Sequence, residues 1–246
     1  MSASENMVQV RNFRMKFGDS VVISDLSFDA KRGETFGLLG SNGSGKTTTI
    51  RALLGMIKPT VGSLMIDNKT YAVDGSTRIG YLPEERGLYK KEKVIDAMVY
   101  FGVLKGMKRE DARNWSMDYL KRVKLETKAK TRLDKLSGGQ QQKIQLGVTI
   151  MHDPQLLILD EPTKGFDPVN RRLLMDIVEE KQKAGATVIF VTHQMEEVER
   201  LCDRILLLKD GRAAAYGTVK GVRKAHGGAS MDDIFVKIYG EEDVNA

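Results

Sequence analysis

The sequence has a single cysteine, Cys202. One cysteine excludes an intramolecular disulfide and fits a reducing compartment, with Cys202 expected to pack beside Leu201. No uninterrupted apolar run approaches the ~20 residues that a membrane-spanning helix needs. The stretch Met1 to Asn6 is polar, so no signal peptide is read there. Internal repeats and low-complexity tracts are absent. A strong charge of one sign is also missing. The 39 basic and 33 acidic residues leave +6, which is weak ground for a nucleic-acid partner or an anionic surface. The chain is therefore expected in the cytoplasm or on the cytoplasmic face of a membrane. What is present, 41% hydrophobic and 29% charged residues in a chain of 246, suits one large α/β domain or one domain with a sub-domain.

The first chemical signal is Gly40-Ser41-Asn42-Gly43-Ser44-Gly45-Lys46-Thr47, the G-x-x-x-x-G-K-[ST] pattern of a P-loop. Its flanks are those the mechanism requires. Thr35 to Leu39 is an apolar run that reads as a buried strand, and Thr48 to Met56 carries apolar residues at helical spacing. Glycines let successive backbone N–H groups curl around phosphate oxygens. The helix start adds free N–H groups and the positive dipole end. Lys46 is placed to reach the β- and γ-phosphates, and the Thr47 hydroxyl to reach Mg²⁺. Nucleotide binding is expected from Gly40, Ser41, Asn42, Gly43, Ser44, Gly45, Lys46, Thr47 and Thr48.

Met7 to Phe13 and Val21 to Phe28 read as strands joined by the turn Phe17-Gly18-Asp19-Ser20. Leu64 to Asp67 and Arg78 to Leu82 are two more, the second ended by Pro83. From Glu84 to Arg132 strand signals stop. Val94 to Leu104 and Glu110 to Val123 have helical spacing and many basic residues, which reads as a helical insert. Lys121, Arg122, Lys124, Lys128 and Lys130 form either a solvated helix face or a contact for phosphate or acidic headgroups. After Leu136, strand and helix alternate again: Leu156 to Leu159, a helix from Pro168 to Ala184, Thr187 to Thr192, a short helix from Gln194, and Ile205 to Leu208. That alternation argues for a parallel-sheet core. Asp210-Gly211 is a hairpin turn signal. Beyond it, Thr218 to Ala246 reads as two short helices split by His226-Gly227-Gly228, with an acidic end.

Leu156-Leu157-Ile158-Leu159-Asp160-Glu161 is a buried strand with two carboxylates at its C-terminal end, the edge where open α/β sheets bind ligands. Asp160 suits the Mg²⁺ shell beside Thr47. Strand alternation sends Glu161 to the opposite side from Asp160. There it is expected to polarise a water in line with the γ-phosphate as general base. Leu136-Ser137-Gly138-Gly139-Gln140 precedes an apparent helix, Gln141 to Met151, and makes a second anion site.

Gly40–Thr47, Leu136–Gln140, Leu156–Glu161 and His193 stand in the order and spacing of an ABC-transporter ATP-binding subunit, and LSGGQ resembles that superfamily's own signature. The resemblance covers about Val8 to Gly217. It implies an α/β fold with a P-loop NTPase core and mostly parallel sheet. To this it adds an antiparallel β subdomain on the N-terminal side and an α-helical insert carrying the signature. In residue numbers it implies an ATPase domain over 1–217, with the helical subdomain at about 84–152, and a tail over 218–246. Phe17 matches the aromatic that stacks on adenine. Ser137, Gly138, Gly139 and Gln140 match the contacts to ATP held by a second subunit. Asp167 matches the loop that crosses the dimer interface, and His193 matches the histidine on the γ-phosphate. The implied assembly is two subunits head to tail, most simply identical, with two ATP molecules between them. With them goes a separate membrane-spanning permease that the insert and the loop Glu84 to Tyr89 dock on. No nucleic-acid partner is implied.

Three positions depart from the pattern. Glu84 replaces the usual glutamine that links Mg²⁺ to the membrane-domain contact, and as a carboxylate it can still bind the metal. Lys164 replaces a small polar residue, and Phe166 a leucine. Glu84-Glu85-Arg86-Gly87-Leu88-Tyr89 and the tail Ser230 to Tyr239 also resemble ATPases of ABC-2-type bacterial exporters. The expected activity is therefore Mg²⁺-dependent ATP hydrolysis coupled to export, with Lys46, Glu161 and His193 as the catalytic set. A chromosome-type ATPase would need a long coiled coil, and Thr48 to Leu136 holds no sustained heptads. A translation factor of this superfamily would need a second P-loop. A non-catalytic, ATP-gated module would bind ATP without turnover.

Overall fold

The computed structural model describes residues 5–70, 78–85 and 87–240. Arg86, inside the exporter-like stretch, and the acidic end at residues 241–246 lie outside the described residues. Among the described residues nine strands form one sheet in the order β4-β1-β2-β9-β8-β3-β7-β6-β5. Its antiparallel arm is β1 (Asn6–Phe17), β2 (Ser20–Lys31) and β4 (Val61–Ile66). The β1–β2 hairpin runs to the Phe17–Ser20 pair, so both strands are longer than the sequence pattern implied. Irregular register along β1 interrupts the alternation, which hid those extensions.

The parallel core is β3 (Thr35–Leu39), β5 (Ile79–Leu82), β6 (Leu156–Asp160), β7 (Thr187–Thr192) and β8 (Arg204–Lys209). Every residue of β3, β6 and β7 is buried. Both faces of these strands are covered, which is why they read as continuous apolar runs. Asp210 and Gly211 turn the chain with φ of 48° and 70° into β9 (Arg212–Thr218), antiparallel to β8. The sequence marked that turn but not the second strand. Its Arg-Ala-Ala-Ala-Tyr-Gly-Thr segment is mostly exposed and has no alternating apolar signal.

Eight α-helices are seen among the described residues. Helix α1 (Lys46–Leu53) follows the P-loop. The insert contains α2 (Val94–Leu104), α3 (Arg109–Arg122) and α4 (Gly138–Ile150). Helices α3 and α4 approach closely at Gly147, where a Cβ would lie 2.4 Å from the Tyr119 ring. The Tyr119 hydroxyl donates to the Lys143 carbonyl at 2.7 Å. Lys121, Arg122, Lys124, Lys128 and Lys130 are exposed, and Arg122 pairs with Glu180; exposure is common to both expected roles.

Helices α5 (Pro168–Lys183) and α6 (Met195–Leu201) follow β6 and β7. The tail forms α7 (Val219–Ala225) and α8 (Met231–Tyr239). Val222, Met231 and Ile234 are buried against Leu39, Met195, Val198, Ile205 and Leu207. The tail thus packs on the strand that leads into the P-loop. Cys202 is partly buried, and its sulfur fills the space in front of Gly37.

Candidate active site

The C-terminal ends of β3 and β6 meet at a cavity of about 340 Å³ lined by Asn42, Gly43, Gly45, Lys46, Thr47, Thr48, Glu84, Asp160 and Glu161. Gly45 caps α1 with φ 106°. A Cβ there would sit 2.4 Å from Ile23, so the turn needs glycine for its backbone angle and for the close approach of β2. Gly40 packs on the Leu208 carbonyl, 2.6 Å from where its Cβ would be. Lys46 Nζ donates to the carbonyls of Gly40 and Ser41, both at 2.9 Å. Burial lowers the Lys46 pKa, against the opposing pull of Glu161, Asp160 and Glu84.

Asp160 is 1% exposed. Burial, then the neighbouring Glu84 and Glu161, push its pKa up to about 6, against the Lys46 ammonium and the Thr47 hydroxyl. Thr47 Oγ1 donates to Asp160 Oδ2 at 3.4 Å. A hydroxyl beside a buried carboxylate that resists ionisation is a donor set that a hard divalent cation satisfies, and Mg²⁺ held with phosphates needs only one or two carboxylates. No group of three or more His, Cys, Asp or Glu side chains among the described residues forms a self-sufficient metal cage. The residues therefore fit a cation that arrives with a nucleotide.

Glu161 corrects the alternation expectation. It lines the same cavity as Asp160. The strand ends at Asp160 and Glu161 turns into the left-handed region, φ 47°, where strand geometry no longer decides side-chain direction. Its backbone N–H donates to the Val191 carbonyl at 3.0 Å. Its Oε1 lies 2.8 Å from His193 Nδ1, and its Oε2 is buried without a hydrogen-bond partner among the described residues. The residues on either side of His193 are tied to each other. The Thr192 hydroxyl donates to the buried Glu197 at 2.9 Å and accepts from the Gln194 N–H at 3.1 Å.

Other expected residues lie outside this cavity. Phe17 is 52% exposed at the hairpin tip. Ser137, Gly138, Gly139 and Gln140 sit at the start of α4. That helix begins at Gly138 rather than Gln141, because a reciprocal capping box nucleates it. Ser137 Oγ accepts from the Gln140 N–H at 3.3 Å, and Gln140 Oε1 accepts from the Ser137 N–H at 3.0 Å. Asp167 caps α5, accepting from the Asn170 N–H at 2.9 Å, and that bond lowers its pKa. Phe166 is buried and its ring faces Gly139, so the departure from leucine fills the space before the signature helix.

Two contacts had no signal in the sequence. Lys164 Nζ pairs with Glu84 Oε1 at 2.6 Å. The Tyr239 hydroxyl, at the end of α8, donates to the Leu208 carbonyl at 2.5 Å. Burial raises its pKa to about 12, while the nearby Ser41 backbone N–H acts in the other direction. The tail thereby reaches the P-loop. A larger groove of about 830 Å³, lined by residues such as Asp203, Arg204 and Arg223, lies by the start of β3, where Asp203 accepts from the Thr35 N–H. It has no phosphate-binding loop.

The ABC transporter family profile matches residues 23–164. This chain belongs to that family. An uncharacterised ABC transporter ATP-binding protein of Methanocaldococcus jannaschii is 46% identical over 216 residues, covering 87% of this chain and 79% of the relative. The linearmycin resistance ATP-binding protein of Bacillus subtilis is 35% identical over 235 residues, covering 94% and 75%. The Nod factor export ATP-binding protein I of Bradyrhizobium diazoefficiens is 36% identical over 238 residues, covering 96% and 78%. The solved structure of an ATP-binding subunit of an ABC transporter superposes with a TM-score of 0.87 at 28% identity, covering 94% of this chain and 98% of that one. A dimeric ATP-binding cassette in a post-hydrolysis state, bound to ADP and Pi, superposes with a TM-score of 0.78 at 26% identity, covering 87% and 99%. The ABC cassette thus has the expected α/β fold, and ATP is the nucleotide of its family.

Proposed function

We propose that the chain is the Mg²⁺-dependent ATP-hydrolysing subunit of an ABC exporter, and that hydrolysis powers transport. The observation that carries this reading is the Glu161–His193 contact beside the P-loop. One carboxylate oxygen contacts the imidazole, and the other is buried without a hydrogen-bond partner among the described residues, on a side chain that lines the cavity. The backbone N–H groups from Gly40 to Thr48 and the Lys46 ammonium hold the β- and γ-phosphates. Phe17 stacks on the adenine. Thr47 and Asp160, with Glu84, would hold Mg²⁺, which would supply charge neutralisation at the phosphates. Glu161 Oε2 accepts a proton from water as the water oxygen attacks the γ-phosphorus and the bond to the ADP oxygen breaks. His193 keeps Glu161 in line and contacts the γ-phosphate.

Ser137 to Gln140 do not line the P-loop cavity of their own chain. This supports a head-to-tail homodimer in which each signature closes on the partner's ATP and Asp167 crosses the interface. ATP favours the closed dimer, and hydrolysis reopens it. The docking surface for a membrane-spanning permease is the aromatic patch of Tyr89 and Tyr100, 55% and 48% exposed, around a cavity of about 270 Å³ that includes Glu92 and Asp96. Tyr89 stacks on Phe101 at 5.9 Å, which joins the loop after Glu84 to α2. Among the described residues no helix is long and apolar enough to cross a membrane. We place the protein on the cytoplasmic face through that partner.

The test is light scattering with ATP on the Glu161→Gln variant, alongside a phosphate-release assay. A stable, ATP-retaining dimer with release lowered at least ~100-fold is expected. Release at the wild-type rate would remove Glu161 as base. A tagged pull-down from detergent-solubilised native membranes tests the transporter assignment, and a stoichiometric polytopic partner is expected.

A further inference from the structure

Two of the residues that depart from the family pattern meet each other. Glu84 follows β5 at the entry to the helical insert, and Lys164 stands in the turn after Glu161. They are 80 positions apart in sequence, and Lys164 Nζ donates to Glu84 Oε1 at 2.6 Å. Glu84 also lines the P-loop cavity with Asp160 and Glu161. Three carboxylates therefore share one edge, and Lys46, which lines the same cavity, is hydrogen-bonded to two P-loop carbonyls. Lys164 brings a second positive charge to the outermost carboxylate.

The pair is built for exchange. Its side chains are 63% and 42% exposed, and exposed ion pairs hold weakly. The turn that carries Lys164 is otherwise well anchored. The Lys164 N–H donates to the Glu161 carbonyl at 3.2 Å, and the Phe166 N–H to the Thr163 carbonyl at 2.9 Å. Phe166 is packed on the start of the signature helix. Glu84 and Lys164 both line a groove of about 600 Å³ that Gln141 and Gln142 of α4 also line. One carboxylate is thus shared between the phosphate cavity and this groove.

We propose that Lys164 is a positioning residue that competes with the nucleotide's divalent cation for the Glu84 carboxylate. With the metal–nucleotide complex bound, Glu84 would exchange Lys164 for the cation, and the Lys164 ammonium would be released beside the Phe166–Asp167 loop. A side chain at the entry to the insert and one at the dimer loop then report on the same bound metal. This rests on the reading of the Asp160 edge as the metal site.

The test uses Mn²⁺ as the probe. Free Mn²⁺ is measured by electron paramagnetic resonance with the full chain and a non-hydrolysable ATP analogue. Wild type, Lys164→Gln, Glu84→Gln, the double variant and Asp160→Asn are compared. Lys164→Gln should tighten Mn²⁺ about two- to five-fold, the range an exposed ion pair supports. The same change should have no effect once Glu84→Gln is present. No tightening in the wild-type background, or equal tightening in both, overturns the proposal. Lys164 is exposed, so its variant keeps the fold. Asp160→Asn separates the two readings. If it retains full Mn²⁺ binding, the metal edge is misassigned and the proposal falls with it. If it loses binding while Lys164→Gln has no effect, only the proposal falls.

Discussion

Asp160 shows how one residue is tuned against its own stability. Its folded pKa, about 6, lies above the ordinary 3.8 of an aspartate. The folded state holds the proton more tightly than the unfolded one, so stability falls as pH rises through that window and stays lowered above it. Asp160→Asn is always neutral. In the absence of metal it should stabilise the protein at about pH 8 by roughly 1–3 kcal/mol, an advantage that disappears below about pH 4. Thermal melts across pH in a chelating buffer check this. Lys46→Ala removes the ammonium proposed to reach the phosphates and should abolish ATP binding or hydrolysis, read by fluorescent-nucleotide titration and phosphate release. Asp160 and Lys46 were legible in the sequence because their neighbours are short, strongly patterned motifs. The direction of Glu161 was not, because alternation presumes that the strand continues and its left-handed backbone ends it.

At the scale of elements, α4 is set by a cap at one end and close packing along its length. Ser137→Ala removes the acceptor for the Gln140 N–H and should cost about 1 kcal/mol. The loss should appear as faster amide exchange confined to the first turn of α4. Gly147→Ala pushes a methyl into the Tyr119 ring and should destabilise by roughly 1–3 kcal/mol, read by chemical denaturation. Most elements were legible. The buried runs of β3, β6 and β7 and the spacing in α2, α3 and α5 were read nearly to their ends. Strand β9 was missed because its exposed alanines carry no pattern, and the start of α4 because a glycine pair masks a helix that its cap initiates.

At the scale of the whole molecule, the tail is the unexpected participant. Met231 and Ile234 are buried beside Leu39, the residue before Gly40 of the P-loop, and Tyr239 bonds to the carbonyl on which Gly40 packs. Truncation after Gly217 should lower the melting temperature, because burial of Met231 and Ile234 contributes about 1.5–3 kcal/mol each. It should also weaken nucleotide binding several-fold. Tyr239→Phe should keep most of the stability and reproduce part of the binding loss. Calorimetry and nucleotide titration separate the two effects.

The class of fold and the family were legible from local pattern alone. The P-loop, the strand ending in Asp160 and Glu161, and the signature are local patterns in which residue type and spacing follow directly from phosphate, metal and helix-start geometry. Tertiary structure alone decided what depends on distant parts of the chain meeting. It paired Glu84 with Lys164, seated Phe166 on Gly139, turned Glu161 toward His193 and brought Tyr239 to the P-loop. Such contacts leave no periodicity in the chain, because each exists only where the folded backbone brings two remote segments within a few ångströms.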